Sequence, residues 1–260
     1  MHSCLVGSEM CIRDSSITVF TKVDSGIASG NVILIQKGQI INANRIEYKK
    51  DKSQDGVSYK AIGDVIIKDS SRVATCGLAK YDRENERTIL ELEPEIKENN
   101  RLLAGTRITL TYEQEKLKKL YIPKNAYAIT PIRGYQASLI DSNQVGDSLR
   151  FNDKMEGTSL LGFFENGKLD SLRIEGMAKT LYHIFEDSIY QGKNNASGDT
   201  IAISFYDNDL STINVIGGSE GKYIPDSLSD GNEYPVTYKA SRIKYCLLYT
   251  SPSPRDMSAS

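Results

Sequence analysis

The stretch GTSLLGFFENGKLDSLRI, residues 157–174, decides the fold of this chain of 260 residues. Repeat positions lie two residues apart on both sides of an Asn-Gly dipeptide at positions 166 and 167, with Leu160 and Phe164 before it and Ile174 after it. A period of two is typical of a half-buried β-strand, and Asn-Gly between two such strands is a strong turn signal. The stretch therefore predicts a β-hairpin.

The hairpin pattern occurs three times, and no copy contains an internal gap. Adding 52 to the positions of the first copy gives the second, and adding 41 to those gives the third. Because the two spacings differ, the insertions lie between the copies and not inside them. The aligned positions are Gly105, Ile108, Leu110, Tyr112, Leu117, Leu120 and Ile122; Gly157, Leu160, Gly162, Phe164, Leu169, Leu172 and Ile174; and Gly198, Ile201, Ile203, Phe205, Leu210, Ile213 and Val215.

A second kind of repeat precedes these hairpins. Residues 30–48 open with Gly-Asn-Val and close with Ala-x-x-Ile-x-Tyr, and residues 63–81 repeat the pattern 33 positions later. Each copy is typical of two strands joined by a short connection, and helical patterns are nearly absent. Regular short strands with Gly, Asn and Asp turns predict an all-β sandwich, jelly roll, barrel or solenoid, in which stacked repeats bury one another's apolar faces.

Both ends of the chain are expected to lie outside the fold. The segments CLVGSEMCIRDS (4–15) and CLLYTSPSPRD (246–256) look like translated sequencing-adapter fragments. We therefore expect residues 1–16 and 244–260 to be foreign and disordered. The remaining body, 17–243, is predicted to form one β-jelly roll or two consecutive modules, about 17–130 and 131–243.

The body contains one cysteine, Cys76, because the other three lie in the suspect ends. A single cysteine forms no internal disulfide and no cysteine-based metal site, and its apolar context predicts a small buried thiol.

Composition and motifs argue against several classes of function. The net charge of −2 and the lack of a basic stripe make nucleic acid an unexpected partner. No stretch approaches the ~20 apolar residues of a transmembrane helix. His183 is the one histidine of the body, and the sequence has no Gly-x-Ser-x-Gly elbow, P-loop or His-x-x-x-His pair. We therefore predict that the chain is not an enzyme and uses no cofactor or metal.

The repeats at 30–48 and 63–81 resemble the OstA-like domain of LptA, LptC and the N-terminal part of LptD. The second copy is degenerate, since Cys76 and Ala79 stand where the first has Ala43 and Ile46. The segment 196–218 also resembles OstA-like proteins of Bacteroidota-type bacteria, so the resemblance covers about residues 25–225. It implies an open, twisted β-jelly roll of stacked antiparallel hairpins with an apolar groove for acyl chains.

The resemblance and the alternation together give the candidate ligand-lining residues. Apolar side chains two positions apart on a strand share one face, which the resemblance makes the wall of the groove. The alternative is that they fill a closed core. The predicted lining residues are Val32, Leu34, Ile46, Tyr48, Val65, Ile67, Tyr81, Ile108, Leu110, Ile201 and Ile203.

The function that the resemblance implies is binding and bridging in outer-membrane lipopolysaccharide transport. The expected partners are the lipid A acyl chains of lipopolysaccharide and other Lpt-type jelly-roll proteins, which join through strand edges. The expected location is the periplasm, with outer-membrane association as a further option, although no signal peptide is visible in the sequence. Alternatives are a structural β-solenoid or adhesin with a closed core, and a β-helix polysaccharide-active enzyme. A β-helix needs nearly constant coil lengths, which the spacings of 52 and 41 do not provide.

Overall fold

A computed structural model describes residues 2–4, 11–13, 16–20, 25–36, 38–50, 57–98, 100–134, 140–141, 144–145, 149–186, 189–206, 209–226 and 234–246. These residues form strands and turns, and no helix occurs among them. The strands are β1 His2–Cys4, β2 Cys11–Arg13, β3 Ser16–Phe20, β4 Ser25–Gln36, β5 Gln39–Lys50, β6 Val57–Lys68, β7 Arg72–Asp82, β8 Arg87–Glu91, β9 Glu95–Glu98, β10 Arg101–Ala104, β11 Arg107–Glu113, β12 Lys116–Ile122, β13 Ala126–Gly134, β14 Ile140–Asp141, β15 Gln144–Val145, β16 Leu149–Gly157, β17 Ser159–Glu165, β18 Lys168–Glu186, β19 Ile189–Tyr206, β20 Asp209–Pro225 and β21 Val236–Cys246.

All described strand pairs are antiparallel, which confirms the all-β, antiparallel prediction. The predicted hairpins form as β11–β12, β17–β18 and β19–β20. The earlier repeats form β4–β5 and β6–β7, with Val32 opposite Ala43 and Val65 opposite Cys76.

The long strands bend in the middle, and their bends line up along one ridge, which we call the corner. Register shifts interrupt the ladders between Ser29 and Val32 and between Ile62 and Val65. At the second of these the backbone turns through Gly63 (φ 77°) and Asp64 (φ 47°), both in the left-handed region. An extra residue in one strand bends it and increases its twist. Each long strand therefore starts in one sheet and ends in another.

Nineteen of the described strands form one continuous sheet, and the corner divides it into two halves, sheet 1 and sheet 2, that share the long strands. Sheet 1 contains β9, β10, β13 and β16, and sheet 2 contains β8, β11, β12 and β17, each with the parts of the long strands on its side. The N-terminal part of β7 pairs with β9, and its C-terminal part pairs with β8. Strand β18 rejoins the two sheets, because it pairs with β17 before the corner and with β16 after it.

The glycines that open the three hairpin repeats lie at this corner, each against the last apolar residue of its own repeat. A Cβ atom added to any of them would come within 2.7 Å of a methyl group of a β-branched side chain. Glycine and the β-branched residue are therefore a packing pair, which explains why the repeat keeps both positions. The pairs are Gly105 with Ile122, Gly157 with Ile174 and Gly198 with Val215.

The core is one continuous apolar cluster on the inner faces of both sheets. It reaches from Ala28 on β4 to Val215 on β20, with Ile243 and Tyr245 of β21 packed against it. Since the strands alternate inward and outward residues, a single layer of side chains from each sheet fills the space between them.

Parts of the two ends differ from the expectation that they lie outside the fold. Strand β2, within residues 1–16, pairs with β4 so that Cys11 lies opposite Ile35. At the other end, Tyr245 packs against the core from β21. Residues 247–260 fall outside the described part of the chain. Strand β13 includes residues 130 and 131, and the division of the body into one or two modules stays a prediction.

The corner packing pair predicts a stability effect at Gly157. A Cβ at this position would lie 2.5 Å from Ile174 Cγ2. We expect Gly157→Ala to lower the free energy of unfolding by roughly 1–3 kcal/mol, the usual cost of overpacking. Urea unfolding followed by circular dichroism measures it. In an Ile174→Ala background, which lacks the offending methyl group, the same substitution should cost much less. Equal costs in both backgrounds would show that the close approach is not the cause.

The position of Cys76 predicts a protected thiol. The side chain is 8% exposed on the inner face of β7, and burial raises the pKa of its thiol to about 11. Because the thiolate is the reactive form, we expect alkylation by iodoacetamide at pH 8 to be far slower in the folded protein than in urea. Peptide-resolved mass spectrometry separates Cys76 from Cys4, Cys11 and Cys246. Labelling of Cys76 at the same rate in both conditions would contradict the buried assignment.

Candidate functional site

The predicted lining residues all lie on the inner faces of the two sheets. Ten of the eleven are buried, and Tyr81 is half-buried against the same cluster. The structure therefore brings them together in one interior, although their role as lipid contacts stays a prediction. Sheet 1 contributes Val32, Leu34, Val65 and Ile67, and sheet 2 contributes Ile46, Tyr48, Tyr81, Ile108, Leu110, Ile201 and Ile203.

The alternation separates inner from outer faces sharply. Leu34 is 0% exposed whereas its neighbour Ile35 is 44% exposed, and Val215 is 0% exposed whereas Ile216 is 40% exposed. Adjacent residues of the same type thus lie on opposite faces of one strand. This contrast supplies matched positions for comparing the interior with the surface.

A small cavity of about 40 Å³ lies between the sheets. Its apolar walls come from both sheets, with Ile67 and Ile96 on one side and Leu110 and Leu120 on the other. A cavity of this volume holds no more than a few water-sized groups. An acyl chain could therefore enter this cavity only if the sheets moved apart.

The cavity has a polar rim made of residues at the hairpin ends. The polar residues that line the cavity near the hairpin ends of sheet 1 are Gln39, Asp69, Arg72 and Glu98. Arg72 Nε lies 3.2 Å from Asp69 Oδ2 and 3.7 Å from Glu98 Oε1. Asp69 also accepts hydrogen bonds from the backbone N–H groups of Ser71 and Arg72, at 3.0 and 2.8 Å, which fixes the turn between β6 and β7.

The hairpin ends of the two sheets approach each other on the side opposite the corner, which we call the open side. There the guanidinium carbon of Arg101, at the start of β10 in sheet 1, lies 5.8 Å from the ring centroid of Phe205 in sheet 2. This is the range of a cation–π contact. The two sheets are thus joined by backbone at the corner and by side chains at the open side.

The C-terminal end of the interior is closed by a hydrogen-bonded network. Asn194 Nδ2 donates to Tyr182 Oη at 3.1 Å, and Tyr238 Oη donates to Asn194 Oδ1 at 2.6 Å. The hydroxyl groups of Tyr238 and Tyr245 are also hydrogen-bonded to each other. Burial raises the pKa of Tyr182 and Tyr245 above the ordinary tyrosine value, so both hydroxyl groups stay protonated at neutral pH. The interior is therefore apolar along most of its length and polar at this end.

His183, the histidine of the body, pairs with Asp153 where β16 leaves β18. Asp153 Oδ1 accepts hydrogen bonds from His183 Nδ1 and from the His183 backbone N–H, both at 2.8 Å. Burial raises the pKa of the Asp153 carboxyl, while the hydrogen bonds from His183 oppose that shift. The ring of His183 also packs against Phe151 and Tyr190. The carboxylate satisfies an N–H group at the end of a ladder, which is a structural role.

Sequence reasoning did not find the rim, the Arg101–Phe205 contact or the tyrosine network. Arg101 and Phe205 are 104 positions apart, and no short motif links them. The available signal was weak: Phe205 occupies an inward position of the third hairpin repeat, so the sequence predicted its burial but not its partner.

Other kinds of site are not found in the part of the chain that the structure describes. No cluster of three His, Cys, Asp or Glu side chains is arranged there to hold a metal ion. No helix that could span a membrane is present among the same residues.

Comparisons with known proteins identify a family for the N-terminal part of the chain. Residues 14–116 match the LptA/(LptD N-terminal domain) LPS transport protein family. Among solved structures, the chain is similar to LptH, the LptA homologous periplasmic component of the conserved lipopolysaccharide transport device from Pseudomonas aeruginosa. The TM-score is 0.38 and the identity 12%, with 55% of this chain and 94% of LptH covered. No curated protein matches the chain.

The matched family confirms the resemblance predicted from the repeats at 30–48 and 63–81, both of which lie inside the matched segment. It is a family of transport proteins, which agrees with the prediction that the chain is not an enzyme. Over residues 14–116, the chain is similar to the LptA and LptD N-terminal LPS transport proteins.

Proposed function

We propose that this chain is a periplasmic component of lipopolysaccharide transport that shelters acyl chains between its two sheets and bridges to other jelly-roll proteins. The observation that carries the proposal is the family match over residues 14–116. The continuous apolar cluster between the sheets supports it, because it extends beyond the matched segment to β20.

The energy for holding a lipid comes from removing its acyl chains from water. Burial contributes roughly 0.8 kcal/mol for each methylene group, so a chain of about twelve carbons gains up to about 10 kcal/mol. Inward side chains such as Leu34, Ile67 and Ile203 provide an apolar surface of this kind. Part of that gain offsets the contacts that the two sheets lose when they separate.

We expect the sheets to separate at the open side. At the corner, the covalent backbone of the long strands continues from sheet to sheet. At the open side, Arg101 contacts Phe205 across the gap, and a partly exposed cation–π contact contributes only about 0.5–1 kcal/mol. A lipid that entered there would place its acyl chains inside and its polar groups beside Asp69, Arg72 and Glu98.

Bridging to a neighbouring protein would use the strand edges. Among the described residues, β21 pairs with β20 alone, which leaves its other edge free of strand partners. An edge strand offers backbone donors and acceptors to which a further strand can add. The opposite end of the sheet offers β1 and β3 in the same way.

Photo-crosslinking tests whether the interior receives lipid. A photoreactive phenylalanine analogue replaces Ile67 beside the cavity, and separately Leu34 and Ile203. Ile35 and Ile216 serve as matched outward controls from the same kind of strand position. After illumination with purified lipopolysaccharide, we expect labelling from the inward positions at least tenfold above the outward ones. The adduct is measured as a mass shift on gels developed for lipopolysaccharide.

Each variant is first checked by circular dichroism and thermal unfolding, so that only folded proteins are compared. Equal labelling of inward and outward positions by folded variants would refute a lipid-binding interior. It would support the alternative of a structural protein with a closed core.

A further inference from the structure

A second concave surface lies on the outer face of sheet 1, away from the interior. It is a trough of about 510 Å³ that crosses β16, β18, β19, β20 and β21. Ligand sites for small molecules have volumes of about 300–1,000 Å³. The trough is therefore large enough for a ligand of two or three sugar rings.

One row of side chains crosses the trough in direct register. Lys154 lies opposite Leu181, Leu181 opposite Asn195, Asn195 opposite Lys222, and Lys222 opposite Thr237. All five line the trough. The row contains two lysines and no acidic residue.

The neighbouring row has a different charge pattern. It runs through Glu156, Lys179, Ser197, Glu220 and Lys239 in register across the same strands. Lys179 Nζ lies 3.4 Å from Glu156 Oε1, and Lys239 forms an ion pair with Glu220. Each acid in this row is thus paired with a lysine of the same row, and the row neutralises itself.

The two lysines of the first row are left without such partners. Within the described ranges, neither Lys154 nor Lys222 forms an ion pair. Three strand spacings separate them, which is roughly 14 Å along the sheet. Leu181 and Asn195 lie between them and form the floor.

We propose that this trough binds an acidic oligosaccharide whose anionic groups contact Lys154 and Lys222. A lysine ammonium is a compact cation that suits carboxylate or phosphate groups. The Asn195 amide and the hydroxyl groups of Ser197 and Thr237 provide hydrogen-bond partners for sugar hydroxyls. The positive row is local, because the whole chain has a net charge of −2.

The ligand chemistry has two sources, a free acidic polysaccharide and the sugar head group of a glycolipid. Both present anionic groups on neighbouring sugars, and both would reach an outer face without any opening of the sheets. The inference therefore goes beyond the proposed lipid-sheltering function and does not depend on it.

Isothermal titration calorimetry at 20 mM salt tests the proposal with the whole chain. The probes are trigalacturonate, the deacylated saccharide of lipopolysaccharide, neutral maltotriose and inorganic phosphate. We expect at least one acidic saccharide to bind, maltotriose not to bind, and phosphate to bind at least tenfold more weakly than that saccharide. The tighter of the two acidic probes identifies the source. Binding should weaken at 200 mM salt, because the contacts are between exposed charges.

The double substitution Lys154→Glu with Lys222→Glu should weaken saccharide binding at least tenfold. Lys60→Glu with Lys119→Glu, on the outer face of sheet 2, changes the net charge equally and should leave binding unchanged. Circular dichroism checks that both variants fold, and Lys154→Gln with Lys222→Gln serves if charge reversal prevents folding.

Several results would overturn the proposal. The first is phosphate binding as tight as saccharide binding, which indicates an adventitious ion only. The second is an equal loss of saccharide binding in both double variants. The third is binding to anionic phospholipid vesicles but to neither acidic saccharide. Interior photo-crosslinking of the trough variant is a separate readout, so failure here leaves the proposed lipid function intact.

Discussion

The fold depends on the close approach of glycine and a β-branched side chain at the corner. At Gly157 the space that a Cβ would fill is taken by a methyl group of Ile174. Methyl groups of Ile122 and Val215 occupy the corresponding space at Gly105 and Gly198. Because the strands pass so close there, one chain can build two sheets that face each other without a helix or a disulfide among the described residues. The two facing halves of the sheet and the apolar interior between them follow from this bend.

Much of this architecture could be predicted from the sequence, because a period of two is a local property. The spacing of two between repeat positions predicts the hairpins and their inward residues, and Ile201 and Ile203 are buried as the pattern requires. The sequence did not predict that β18 continues past Ile174 and rejoins the two sheets, since the pairing of Lys154 with Leu181 is non-local. A period of two indicates the face of a strand but not the sheet to which it belongs.

The interior and the outer trough also differ in how far the sequence predicts them. The inward residues repeat at fixed spacings, so the interior was predictable as a set, while its lipid role came from the resemblance. The trough was not predictable, because only the register of four strands places Lys154 and Lys222 in the same row of side chains. Individually they are ordinary exposed lysines. The Asp153–His183 pair is similar, with 30 positions between its partners.

Some strands cross the corner and others end at it. The resistance of the two halves of the sheet to separation therefore varies along the corner. Strands β4 to β7 and β18 to β21 cross it as unbroken backbone, whereas β8 to β13, β16 and β17 stop on one side or the other. The two halves of the sheet therefore resist separation at both ends of the corner, where strands cross it. They separate more easily in the middle, where strands stop on one side. The interior cavity lies where the two parts meet, between Ile67 of β6 on one side and Leu110 of β11 and Phe164 of β17 on the other. Deformation that widens the space between the sheets would therefore begin beside strands that do not cross the corner.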